Sequence, residues 1–102
     1  MKKLFWRIRG HNGLKDTFDM TIGLGQFTDE QIEHLLRALT ARAALDEREI
    51  VCAYAKRKTK IANDLLEVTR DSPYPRYSCG SDLCYTASVV DEHGKITLHP
   101  TL

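Results

Sequence analysis

Phe27-Thr28-Asp29-Glu30-Gln31-Ile32-Glu33-His34-Leu35-Leu36-Arg37-Ala38-Leu39-Thr40-Ala41-Arg42 is the stretch from which the rest of the chain is read. Thr28 has the chemistry of an N-cap, because its hydroxyl can accept a bond from a free backbone N–H of the first turn. Gln31, three residues on, can reach back to the N–H of the cap and complete a capping box. Phe27 before the cap and Ile32 after it are spaced as a hydrophobic staple. Asp29 and Glu30 set negative charge at the positive end of the helix dipole. Ile32, Leu35, Leu36 and Leu39 then recur at helical spacing, with Glu30, Glu33, Arg37 and Arg42 largely outside their stripe. The pattern predicts a surface helix over Phe27–Arg42 with one face given to a core.

The same punctuation returns at Leu45-Asp46 followed by Glu49-Ile50. It predicts a second helix starting at Asp46 and lying beside the first, since the link between them is short. Ile50, Tyr54, Ile61, Leu65 and Val68 can share one side of a continuous helix to about Arg70. At its midpoint either the stems of Arg57 and Lys58 lie over apolar surface with their charges snorkelling outward, or the helix breaks there; one long helix is the favoured reading. Asp71-Ser72-Pro73 ends the helix, and Pro75 keeps the following link extended.

The flanks read as strand. Lys3–Arg9 alternates, with Leu4, Trp6 and Ile8 on one face and Phe5, Arg7 and Arg9 on the other. Gly10-His11-Asn12-Gly13 is a turn signal. Thr17–Leu24 alternates again, Phe18, Met20, Ile22 and Leu24 against Thr17, Asp19, Thr21 and Gly23, so the two segments form a hairpin. Tyr77–Val90 is rich in Thr, Tyr, Val and Ser and reads as one strand. Asp91-Glu92-His93-Gly94 is a hairpin turn, and Lys95–His99 is the last strand, closed by Pro100. The order β-β-α-α-β-β predicts an α+β fold: a two-layer sandwich of a mostly antiparallel four-stranded sheet with two helices on one face, spanning 1–102 as a single domain.

The composition sets outer limits. The chain has 102 residues, 42% hydrophobic and 28% charged, which excludes disordered and fibrous classes. Its net charge of +1 restricts any nucleic-acid reading to a local patch. Arg7 and Arg9 interrupt the apolar run after Met1-Lys2-Lys3, so no targeting segment is expected, and no run is long enough to span a bilayer. Three cysteines are too few for a disulfide scaffold of this size, which points to a reducing, cytoplasmic location.

Three sets of residues could carry chemistry. Cys79 and Cys84 could face each other if Gly80-Ser81-Asp82-Leu83 is a tight turn, forming a zinc half-site completed by His93 or His99, or a redox pair. Against this stands a small polar turn with two incidental thiols, and Cys52 reads as a small helix residue. Lys56, Arg57, Lys58 and Lys60, beside Tyr54, could contact phosphates, joined by Arg37, Arg42 and Arg48 if the helices pack side by side. The plainer reading is a solvated face neutralised by Glu47, Glu49, Asp64 and Glu67. Phe5, Arg7 and Arg9, with Tyr77 and Tyr85, could stack on a ligand or cover a sheet face inside a homodimer, while Tyr74 between two prolines anchors a loop.

His11, His34, His93 and His99 are scattered, His34 beside the apolar stripe reads as structural, and no nucleophile elbow, phosphate-cradling loop or two-histidine metal motif is present. The reading that remains is a small non-enzymatic binding or interaction module, without a cofactor, that self-associates through the open sheet face or the edge strands. The alternatives are a nucleic-acid-binding protein using the basic cluster, and a Cys/His metal protein or thiol enzyme.

Overall fold

The computed structural model describes residues 3–71 and 76–97. It is an α+β fold built on one antiparallel sheet. The first strand, β1 (Leu4–Asn12), turns through Gly13-Leu14 into β2 (Lys15–Gly23). A short 3-10 turn at Leu24–Gln26 leads into helix α1 (Asp29–Ala44), followed by the short helix α2 (Glu47–Ala53). Three strands follow: β3 (Val68–Asp71), β4 (Arg76–Gly80) and β5 (Leu83–Asp91). The spatial order is β2-β1-β5-β4-β3, so the sheet has five strands where the sequence predicts four.

Two local features account for the extra strands. Gly80, at φ +100, takes the chain out of β4, and a Cβ there would collide with the backbone of Leu83. Tyr77–Val90 is therefore a hairpin of β4 and β5 rather than one strand. The other feature is the end of α2 at Ala53, where a helix to Arg70 is expected. Continuing it would stack Lys56 on Lys60 and crowd four cations into five positions, with Val68 and Thr69 adding β-branched bulk. The chain instead makes successive turns: Thr59 Oγ1 donates to the Lys56 carbonyl at 2.7 Å, and Asn63 Oδ1 accepts from the Leu65 N–H at 3.1 Å. Val68–Asp71 then joins the sheet as its edge.

Both helix starts form as expected. Thr28 Oγ1 accepts from the Gln31 N–H at 3.1 Å and Gln31 Oε1 accepts from the Thr28 N–H at 2.9 Å. Asp46 and Glu49 exchange the same two bonds at 2.8 and 3.0 Å. The Asp91 turn also forms: Asp91 Oδ1 accepts from the N–H groups of His93 and Lys95. Beyond it, Ile96 makes an isolated bridge to Val90, while Leu98, His99 and Pro100 lie outside the described residues.

Helix α1 lies over β5, β4 and β3. Trp6, Ile32, Leu36, Ala87 and Val89 are fully buried between the layers, and Leu66 from the turn segment closes one end. Burying each large aliphatic side chain contributes about 1.5–3 kcal/mol. Trp6 Nε1 donates to the Phe27 carbonyl at 3.2 Å, fixing the entry of α1, and Thr40 Oγ1 donates to the Cys79 carbonyl at 3.3 Å, fixing its last turns. Tyr77 packs its ring against Trp6 and donates its hydroxyl to Asp29 Oδ2 at 2.7 Å. Gly10 has no room for a side chain, because a Cβ would stand 2.8 Å from the Tyr85 ring and 2.9 Å from Thr17 Oγ1.

Candidate functional site

Three surfaces result from this placement. The first is the sheet face turned away from α1. Strand register puts Phe5, Arg7, Arg9 and His11 there from β1, with Val90, Ser88, Thr86 and Cys84 opposite them on β5. Arg7 is paired to Asp19 at 2.8 Å and Arg9 to Asp16 at 2.7 Å, while His11 Nδ1 lies 2.9 Å from the other Asp16 oxygen. The Arg7 hydrogen bond holds the Asp19 carboxyl below the usual range, and the Arg9 bond does the same for Asp16. Further across, Thr69 and Ser78 hydroxyls bond at 2.8 Å. This face thus carries paired ions and hydroxyls beside the apolar Phe5 and Val90, with Val90 buried. Phe5 is half-buried beside Val90 rather than presented for stacking, and Tyr77 and Tyr85 belong to the other face, packed with the core. Tyr74 lies outside the described residues.

The thiols do not converge across their turn. Cys79 pairs with Tyr85 on the helix side and is buried, which pushes its thiol pKa up, whereas Cys84 pairs with Gly80 and lies on the opposite face. His93 is exposed in the Asp91 turn, beside Glu92, and His99 lies outside the described residues. Among the described residues no group of three or more His, Cys, Asp or Glu side chains is placed to hold a metal ion.

A second surface is a groove of about 690 Å³ between α1 and the turn segment 53–67. His34 and Arg37, one turn apart on α1, form one wall, and Tyr54, Arg57, Lys58, Asp64 and Glu67 line the other. Arg37 is held in place: its Nε donates to the Leu66 carbonyl at 3.3 Å. Asn63 anchors the far wall, with Nδ2 donating to the Glu49 carbonyl and its N–H to the Cys52 carbonyl. Lys58 adopts the left-handed conformation at φ 70. The expected basic cluster is thus on turns rather than on a helix. Arg57 and Lys58 line the groove, Lys56 and Lys60 are exposed on the same segment, and Arg37 joins them. Arg42 and Arg48 border a different depression beside Leu45 and Asp46.

The third surface is one edge of the sheet among the described residues, β2. It is nine residues long, and Phe18, Met20 and Ile22 point to the helix side, opposite Gly10, Ile8 and Trp6. Because α1 sits over the other half of the sheet, Phe18 is 39% and Met20 51% exposed. The alternation of β2 is visible in the sequence. Which of its apolar residues stay uncovered is not, because that depends on where a helix far along the chain lands.

Comparison with protein-family models, with curated proteins and with solved structures gives no match. No helix among the described residues is long and apolar enough to cross a membrane.

Proposed function

We propose that the protein is a small non-enzymatic interaction module that self-associates, and that the contact runs edge to edge through β2. The observation that supports this is the long β2 edge, which pairs with no second strand among the described residues and along which Phe18 and Met20 are exposed. A strand edge presents unpaired N–H and C=O groups, and apolar residues along it favour pairing with a further strand. The other edge, β3, is only four residues long.

The sequence of β2 favours a second copy as the partner. In antiparallel pairing about a two-fold axis centred on Met20, Met20 faces its own copy. Phe18 then faces Ile22 of the second copy on the helix side, and Asp19 faces Thr21 on the other. Apolar residues meet apolar residues and no like charges stand opposite one another. A register centred on Asp19 would set two carboxylates face to face. Arg7 and Arg9 neutralise Asp19 and Asp16 from within the same chain, which lowers the charge along the edge.

The test is Met20→Lys. Met20 is half-exposed, so the folded monomer tolerates the change, while two lysines would face each other at the centre of the pairing. The dimer population is expected to fall by at least tenfold, measured by analytical ultracentrifugation across a concentration series, with the circular dichroism spectrum unchanged. An unchanged dimer population would show that β2 is not the contact.

A further inference from the structure

The groove beside α1 has a composition that self-association does not use. Residues 54–60 carry four cations and no acid, +4 in a chain of net charge +1, so the rest of the chain sums to +1 − 4 = −3. The positive charge is concentrated on one segment, and that segment forms one lip of the groove. Lys56, Lys58 and Lys60 make no ion pair among the described residues, and Arg57 has only a long contact to Glu67 at 3.8 Å.

Arg37 gives the groove a fixed donor. Its Nε is engaged by the Leu66 carbonyl, which orients the guanidinium, while its Nη nitrogens have no hydrogen-bond or ion-pair partner among the described residues. A guanidinium has five N–H donors in a fixed fork, so the Nη side remains available for bidentate contact with a phosphate. His34 stands one helical turn away on the same wall. Tyr54, 63% exposed at the groove margin, offers an aromatic face on which a base can stack. The volume is in the range of about 300–1,000 Å³ usual for a small-molecule site. Asp64 and Glu67, which also line the groove, disfavour a densely charged polyphosphate buried in it.

We infer that this groove binds single-stranded nucleic acid, one phosphate on Arg37 and one base on Tyr54, with Lys56 and Lys60 meeting flanking phosphates outside it. A free nucleotide shares the phosphate-and-base chemistry but would leave Lys56 and Lys60 without a role, which is why the strand is favoured.

The experiment is fluorescence anisotropy with a labelled single-stranded RNA of mixed sequence, its duplex, and a fluorescent adenosine monophosphate, each over a salt series. The single strand is expected to bind more tightly than either, with log K falling against log salt by about 0.7 per phosphate contacted. Lys56→Glu with Lys60→Glu should flatten that slope. Tyr54→Ala should weaken binding by roughly tenfold at constant charge. Arg37→Lys, which keeps the charge but loses the fork, should weaken it severalfold. Arg42→Gln with Arg48→Gln, removing two cations from a different depression, should leave it nearly unchanged. The inference is overturned if the strand does not bind at 50 mM salt, if Arg42→Gln with Arg48→Gln weakens binding as much as the groove variants, or if the mononucleotide binds as tightly as the strand. Circular dichroism of each variant separates lost binding from lost fold.

Discussion

Helices α1 and α2 begin with the same device and end very differently. Each has a reciprocal capping box of near-identical geometry and an apolar residue on either side of it. Yet α1 runs for 16 residues and α2 for 7. The difference lies downstream of the caps. Helix α1 buries Ile32, Leu36, Thr40 and Ala41 against the sheet, whereas α2 has no fully buried residue, only Ile50 and Ala53 at the margin of the core. A cap lowers the cost of starting a helix, but most of a helix's stability in a protein comes from packing an apolar face. Where that packing stops, the chain is free to turn. The turns after Ala53 are what present Arg57 and Lys58 across from Arg37.

Removing packed side chains from α1 should have the largest effect. Leu36→Ala should destabilise the protein by about 3 kcal/mol, because it removes a fully buried side chain and leaves a cavity. Ile50→Ala on α2 should cost clearly less, as Ile50 is only partly buried. Chemical denaturation of both variants measures the gap. Equal losses would mean that α2 packs as firmly as α1.

Loss of a cap should cost less than loss of a packed side chain. Thr28→Ala and Asp46→Ala each remove a side-chain acceptor worth about 1 kcal/mol at a helix N-terminus. The loss at Thr28 should appear in global stability, because α1 is part of the core. The loss at Asp46 should appear chiefly as faster local amide exchange over 47–53.

A pH dependence confined to alkaline solution arises where Tyr77 of β4 packs in the core and donates to Asp29 of α1. Burial, then the hydrogen bond to Asp29, pushes the Tyr77 hydroxyl up to about 12 from its ordinary 10.0. Between those values the unfolded chain has lost a proton that the folded chain keeps, so stability falls as pH rises through this window and is unaffected below it. Tyr77→Phe should remove that part of the alkaline loss. Spectrophotometric titration of wild type and variant should locate the missing late-titrating tyrosine.

These contrasts also show what could be read from the chain alone. The caps and the Asp91 turn are local, and each formed where its residues stand. The apolar spacing of Tyr54, Ile61 and Leu65 imitated a buried stripe, but all three are exposed, and the residue that reaches the core is Leu66. Periodicity cannot distinguish a stripe that finds a partner from one that does not. Gly80-Ser81-Asp82 carried a turn signal inside a segment otherwise favourable to strand, and the composition of Tyr77–Val90 outweighed it. The candidate surfaces were legible in part. The cations and the alternation of β2 are in the sequence. Arg37 beside the 54–67 turns, and the uncovered position of Phe18 and Met20, follow from tertiary placement of α1 over the opposite half of the sheet.

The proposed function requires a second copy paired across β2. Native mass spectrometry of the gently purified chain tests it most directly. Wild type is predicted at twice the 11.6 kDa chain mass, and Met20→Lys at one chain mass with an otherwise unchanged fold. A wild-type monomer at micromolar concentration, or a dimer that Met20→Lys leaves intact, would contradict it.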